Sequence, residues 1–329
     1  MPHRHINAAR HVIKRLDAKL HVIAVVFNPL RFQSRYNLFR DFERHSRCNH
    51  DVDMKVVELA LGNRPFEVTE AGNPNHWQIR TDQELWHKER MINIAVAKML
   101  PPDWQYVAWI DADITFLNPD WAHETMQQLQ HYHVVQMFQH AMDLDAAGAP
   151  LDLFESFSHS HEQGIRSFPT LAGVRKGVGY YGGQGRYWHP GYAWAYRREA
   201  WNTLGGLLDV NIVGGGDHQM AYGLVGRIDE TIPTGSTHAY TRVVRNWGHN
   251  ARHLKRNIGA VSGTIAHHFH GPKVNRGYYD RWRILTDNKY DPVTDLKTDW
   301  QQMYALAGNK IQLRDQLRAY FRARNEDAI

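Results

Sequence analysis

"YVAWIDADITF" (Tyr106–Phe116) sets a run of apolar and aromatic residues ahead of two aspartates, Asp111 and Asp113, one residue apart. Carboxylates are costly inside an apolar strand unless something pairs with them. The stretch therefore reads as a buried parallel strand with Asp111-Ala112-Asp113 at its C-terminal end, the edge where open α/β sheets bind ligands. "LHVIAVVFNP" (Leu20–Pro29) and "MKVVELAL" (Met54–Leu61) read as further strands of the same kind. Between and after them, "SRYNLFRDFERHSRC" carries Leu38, Phe39 and Phe42 at helical spacing. "DQELWHKERMINIAVAKML" predicts an amphipathic helix with Leu85, Met91, Ile92, Ala95, Val96 and Met99 on one face, stopped by Pro101-Pro102. "PDWAHETMQQLQHY" predicts a helix and "HVVQMFQHAMDL" a strand. This alternation predicts an α/β fold, a Rossmann-type single domain with a mostly parallel mixed central sheet flanked by helices.

The 329 residues suffice for one large domain. Its sheet half runs over 20–145, a site-building half over 146–285 and a helical extension over 286–329. After Asp152 the texture turns to Gly, His and aromatic residues, and the segment from Ser156 to Trp188 reads as a loop that closes over a ligand. "REAWNTLGGLLD" predicts a short helix closed by Gly-Gly, and "GGGDHQMAYGLVG" a helix opened by a Gly-rich turn. "TDWQQMYALAGNKIQLRDQLRAYFRARNEDAI" reads as helical, and the basic start "HINAARHVIKRLDAKL" as a short surface helix. The longest apolar run, "VIAVVF", is far too short to span a bilayer. A single cysteine, Cys48, rules out an internal disulfide and a cysteine-rich zinc site, and suits a cytoplasmic setting.

Net charge is +5, and its distribution says more than its size. Gln163 to Arg198 holds six Lys/Arg and no acid, and Thr231 to Tyr279 holds seven and no acid. Such blocks suit a surface that faces phosphates, with loop composition as the plainer explanation. There is no Gly-x-Gly-x-x-Gly opening a helix after the first strand, no Walker loop and no Gly-x-Ser-x-Gly elbow. Dehydrogenase, P-loop and α/β-hydrolase chemistry lose support accordingly.

Asp111 and Asp113 at a strand exit suit a hard divalent cation shared with a ligand's phosphates; a strand-end turn is the plainer alternative. In "IAHHFHGPKVN" (Ile265–Asn275), His267, His268 and His270 crowd together, and the i, i+2 spacing puts His268 and His270 on one strand face. One of these imidazoles would complete the metal site, with a lean toward Mn²⁺ over Mg²⁺; a structural role is the alternative. Lys273 and Arg276 just beyond suit phosphate. In "VNIVGGGDHQM" (Val210–Met220), Asp217 at a helix start is either a cap or a general base, and spacing alone favours the cap.

The order of these pieces resembles a metal-dependent glycosyltransferase of the GT-A fold, in particular the β-1,4-galactosyltransferase-like group. The matching segments are "HKERMINIAVAKML", "YVAWIDADITF", "HPGYAWAYRREAWNTLGGLLD", "GGGDHQM" and "HHFHGPKVNRGYYDRW". The resemblance implies a nucleotide-sugar donor such as a UDP-sugar, and transfer to an acceptor hydroxyl with inversion. It implies Asp113 and His270 as metal ligands, with His268 or His267 assisting, and Asp111 on the metal or the ribose. It implies Lys88 near the donor's phosphates or sugar, Phe27 and Asn28 near the base, and Asp217 as the base. Where the group has Gly-Glu-Asp this chain has Gly-Gly-Asp-His, which leaves one carboxylate. The basic blocks, with no membrane span, make hydroxymethylated bases of double-stranded DNA a candidate acceptor, as for phage-type DNA-modifying enzymes. A glycan, lipid-linked or protein acceptor is the alternative. From other classes, a non-catalytic nucleic-acid-binding protein and a metal-dependent nucleotidyltransferase or hydrolase compete.

Overall fold

The computed structural model describes residues 18–165, 188–278 and 280–328. The expected N-terminal surface helix and most of the expected closing loop, with Tyr180, Tyr181 and Tyr187, lie outside these residues. Among the described residues no helix is long and apolar enough to cross a membrane.

The chain begins with β1 (Leu20–Phe27), α1 (Gln33–Arg47), β2 (Val52–Leu61) and β3 (His76–Thr81). It continues with α2 (Lys88–Met99), β4 (Tyr106–Ile110), β5 (Ile114–Phe116), α3 (Trp121–Gln128), β6 (Val134–Gln136), β7 (His140–Leu144) and β8 (Pro150–Ser156). Then come α4 (Phe157–Glu162), β9 (Trp188–His189), β10 (Ala193–Arg197), α5 (Arg198–Leu204), α6 (Gly216–Leu224), α7 (His238–Arg252), β11 (Ile258–Ala260) and β12 (Thr264–His267). α8 (Arg281–Asp287), β13 (Leu296–Thr298), β14 (Tyr304–Leu306) and α9 (Ile311–Ala323) complete it.

The central sheet has seven strands in the order β11-β6-β10-β4-β1-β2-β3. All its pairings are parallel except the two made by β10. Alternate residues of each strand face opposite cores, as the pleat requires. Ile23, Val107 and Trp109 pack with α2 and the later helices, while Val22, Ala24 and Ala108 pack with Phe39 and Phe42 of α1 and Trp121 of α3. This is the α/β architecture the alternation predicts, a mostly parallel mixed sheet flanked by helices.

The departures are informative. "YVAWIDADITF" is not one strand: β4 stays in the central sheet, whereas β5 joins a second sheet ordered β5-β12-β7-β8-β9. "HVVQMFQHAMDL" divides the same way into β6 and β7. The chain also passes between the sheets at β9–β10 and β11–β12. The first break falls at Asp111-Ala112-Asp113, whereas the second is masked by the buried, apolar Met137 and Phe138. α2 starts only at Lys88, although Leu85 is buried ahead of it. The C-terminal segment, expected to be helical throughout, opens with the hairpin β13–β14 before α9.

Candidate functional site

The chain crosses between the sheets at β4–β5, β9–β10 and β11–β12, and these crossings, with the segment that follows β12, bring polar residues from distant parts of the sequence to one seam. A cavity of about 220 Å³ lies there, at the C-terminal ends of β1 and β4. Phe27, Asn28, Lys88, Asp111, Asp113, Asp217, His270 and Arg276, all expected at the site, line it. His268 and Lys273 are not in its wall.

Three side chains converge as a metal centre would require. One ligand atom each from Asp113, His267 and His270 lies within 4.8 Å of the others. Asp113 Oδ2 is 2.8 Å from His270 Nε2 and 3.8 Å from His267 Nε2. Asp113 Oδ1 and His267 Nε2 are buried without a hydrogen-bond partner. Buried polar atoms are rarely left that way, so this donor set fits a cation. Burial alone would raise the Asp113 carboxyl, but the His270 and His267 imidazoles hold it well below the usual range. It is therefore ionised at neutral pH.

Behind the imidazoles stand two carboxylates. His267 Nδ1 meets Asp143 Oδ1 at 2.6 Å, and Asp143 also pairs with Lys273. His270 Nδ1 faces Glu326 Oε2 at 3.4 Å. His268 turns away: its Nε2 meets the Thr115 hydroxyl at 2.8 Å. The i, i+2 expectation for His268 and His270 thus fails on placement. β12 ends at His267, and the chain beyond it leaves the strand, so that His270 reaches Asp113 beside His267 while His268 does not. Strand alternation in "TIAH" carries the usable signal, since His267 shares its face with the buried Ile265.

Asp111 is not in the cluster. It forms an ion pair with Lys88, the first residue of α2, whose ammonium also lies 4.1 Å from the centre of the Trp109 ring. Burial and the nearby Asp113 and Asp217 carboxylates raise the Asp111 carboxyl, against the pull of Lys88. For Lys88, burial works to lower the ammonium, but Asp111, Glu89 and Asp217 outweigh it and raise it.

Asp217 is the second residue of α6, reached through Gly214 and Gly215, both with a φ of 83°. The cap position is Gly215, and Asp217 Oδ1 accepts from the next backbone N–H, that of His218, at 2.9 Å. Burial raises its carboxyl, but Lys88, His189 and Arg281 overcome this and lower it. Gly191 makes room for it: a Cβ there would lie 2.5 Å from Asp217 Oδ2. The neighbouring Tyr192 adopts a φ of 72°, a conformation that costs a non-glycine residue about 1–3 kcal/mol. Its carbonyl accepts from Asp111 N at 2.7 Å and its ring stacks 3.8 Å from that of His189.

Arg276 is expected here, whereas Arg281, Arg324 and Glu89 carry no local sequence signal. Arg276 Nη2 donates to His270 Nε2 at 2.8 Å and Arg276 Nη1 to the Tyr278 hydroxyl at 3.0 Å. Arg281 and Arg324 share the cavity wall, and the Nε atoms of Arg276 and Arg281 are buried without partners. Glu89 lies beside Gly216, whose Cβ would come within 3.1 Å of Glu89 Oε1. Burial, with the nearby carboxylates, pushes its carboxyl up to about 8. It is neutral at pH 7, so the wall around Lys88 carries less negative charge than its residue types suggest.

No protein-family model matches the sequence, and no curated protein sequence does either. Among solved structures, the chain is similar to a mutant Drosophila β-1,4-galactosyltransferase 7 in complex with manganese, UDP-Gal and xylobiose. The identity is 10% over 91% of this chain and 99% of that one, with a TM-score of 0.41. A protein of Desulfovibrio desulfuricans named as a nucleotide-diphospho-sugar transferase matches at 12% identity over 93% of this chain and 97% of that one, TM-score 0.31. A fragment of Staphylococcus aureus TarS matches at 11% identity over 93% of this chain and 71% of that one, TM-score 0.34. With TM-scores of 0.41 and below, none of them says what this chain binds or does.

Proposed function

We propose that this chain is a metal-dependent glycosyltransferase that moves a sugar from a nucleotide diphosphate to an acceptor hydroxyl. One observation carries the reading. Asp113, His267 and His270 converge at the seam between the sheets on a cavity whose wall also carries Arg276 and Arg281, cations suited to a diphosphate.

Asp113, His267 and His270 would hold the ion, and a carboxylate with two imidazoles suits Mn²⁺. Such an ion neutralises the charge that builds on a departing diphosphate. Arg276 and Arg281, both in the cavity wall, would bring guanidinium groups to the same phosphates. Phe27, packed edge-on against His87 and Phe321, gives the base an apolar wall at the end of β1. Lys88 neutralises Asp111, so that this carboxylate does not repel the donor. Asp217 is held ionised and accepts the acceptor's hydroxyl proton as its oxygen bonds to the anomeric carbon. The bond from that carbon to the diphosphate breaks, and the nucleoside diphosphate leaves with the electron pair. A single base opposite the leaving group makes the transfer inverting.

For the acceptor we put forward a hydroxymethylated pyrimidine in double-stranded DNA. Its support is charge: α7 and the turn after it expose Arg242, Arg245, Arg252, Lys255 and Arg256 in a stretch without acids. The exposed, unpaired Cys48 supports a reducing, cytoplasmic setting.

The test is hydrolysis of UDP-sugars with and without Mn²⁺, followed by mass spectrometry of hydroxymethylated DNA and simple glycans incubated with the same donors. Mn²⁺-dependent hydrolysis that Asp113→Ala and His270→Ala abolish supports the transferase. Hydrolysis indifferent to the metal and to both substitutions refutes it. Mass gain on glycans alone removes DNA as the acceptor and keeps the activity.

A further inference from the structure

The last described residues are built into the metal centre rather than trailing from it. After α9 the chain turns back over Gly271, where a Cβ would lie 2.8 Å from Glu326 Cα and 3.0 Å from the Asn325 carbonyl oxygen. Glu326 is 2% exposed. Arg35 Nη2 donates to its Oε1 at 2.7 Å and Arg324 Nε to the same oxygen at 2.6 Å. Its other oxygen, Oε2, faces His270 Nδ1. The adjoining Asp327 accepts from the Gln33 and Ser34 backbone N–H groups at 2.8 and 2.9 Å, and so caps α1, whose own Phe32 offers no side-chain cap.

His270 Nε2 lies 2.8 Å from Arg276 Nη2, which can only donate, and 2.8 Å from Asp113 Oδ2, which can only accept, so the two contacts compete for this nitrogen. A cation held by Asp113 and His270 would take the Nε2 lone pair and leave the ring hydrogen on Nδ1, the nitrogen that faces Glu326. His267 is arranged alike, with Nδ1 on the Asp143 carboxylate and Nε2 toward Asp113. In both rings a carboxylate faces the remote nitrogen, the arrangement that suits a metal on the near one. Each carboxylate has its own cations, Lys273 for Asp143 and Arg35 with Arg324 for Glu326, and so stays anionic despite burial.

We infer that Glu326, carried by the C-terminal tail, is a positioning residue of the metal centre: it holds His270 in the tautomer and orientation that present Nε2 to the ion. The segment after α9 is thereby coupled to the site. This rests on the metal reading above. Partners of this kind typically change metal affinity 10- to 100-fold when removed.

The test measures Mn²⁺ affinity of the full chain by titration against the free-ion electron paramagnetic resonance signal, with the nitrogen chemical shifts of His270 as a second readout. Glu326→Gln is expected to weaken Mn²⁺ by about 10-fold or more and to shift the His270 ring nitrogens toward a tautomer mixture. In a His270→Ala background the same substitution is expected to cost nothing further. Asp327→Asn, in the same tail but away from His270, is expected to leave affinity within about twofold of wild type, below the effect of losing such a partner. Should Glu326→Gln not fold, Glu326→Asp keeps the charge for Arg35 and Arg324 but withdraws it from His270, and the same loss is expected. Wild type that binds Mn²⁺, with either folded Glu326 variant binding equally well, overturns the inference alone. An equal loss in the His270→Ala background overturns it too. Wild type that binds no Mn²⁺ overturns the metal reading and the inference together.

Discussion

Glu89 offers the sharpest physical test of the site's electrostatics. It is the second residue of α2, 4% exposed, with its carboxyl pushed up to about 8 from an ordinary 4.5 by burial and by Asp217 and Asp111, against the pull of Lys88. The sign follows from proton counting. Between 4.5 and about 8 the unfolded chain releases this proton and the folded chain keeps it, so stability falls as pH rises through that window. Each pH unit is worth about 1.4 kcal/mol, so the accumulated cost approaches about 5 kcal/mol near the top of the window. Glu89→Gln removes the ionisation and keeps the size. The amide's own packing adds a constant offset, so the slope is the quantity to read. Urea unfolding of both proteins, free of divalent metal, at intervals from about pH 5 to about pH 8 is expected to show the variant gaining about 1 kcal/mol per unit over wild type. Parallel profiles would mean that Glu89 is ionised in the fold, and the charge account of the cavity would be wrong.

Three further outcomes are expected. His267→Ala weakens Mn²⁺ binding at least about 10-fold, while His268→Ala, which loses only its Thr115 contact, leaves it within about twofold; calorimetric titration distinguishes them. Gly191→Ala places a methyl 2.5 Å from Asp217 Oδ2 and lowers the transfer rate about 100-fold with Mn²⁺ affinity kept, as steady-state rates and titration together would show. Asp327→Ala removes the distant cap of α1 and costs about 1 kcal/mol, read from the urea midpoint at constant slope.

Strands buried on both faces announce themselves, which is why β1, β2 and the apolar parts of β4 and β6 were legible as a parallel sheet. β10 was not, because "HPGYAWAYRREAW" combines a Gly-Pro context with aromatics that read as a binding loop; only its antiparallel place between β6 and β4 makes it a core strand. Asp113, His270 and Asp217 stood out because polar groups at strand and helix ends are locally conspicuous. His267 was obscured by counting from His268 through a bend that begins once β12 ends. Glu326, Arg281 and Glu89 had no such mark. Each is an ordinary charged residue in a charged neighbourhood, brought to the site by tertiary docking that leaves no periodicity behind.

The charges of the seam have a pattern that bears on the metal more directly than any single distance. A buried carboxylate persists only if it is paired or protonated. Asp111 has Lys88, Asp143 has Lys273, and Glu326 has Arg35 and Arg324. Glu89 answers by keeping its proton, and Asp217 lies in the field of Lys88 and Arg281. Asp113 differs from all of these. Its close partners among the described residues are two imidazoles, whose charge is optional and whose remote nitrogens are already committed to other carboxylates. A fixed lysine or arginine paired directly with Asp113 would satisfy it permanently and leave no room for a removable ion. The fold instead supplies such cations directly to Asp111, Asp143 and Glu326 and withholds one here. A divalent cation at this point completes the pattern, and Asp113→Asn, which removes the unanswered charge, is for that reason expected to lose Mn²⁺ without losing the fold.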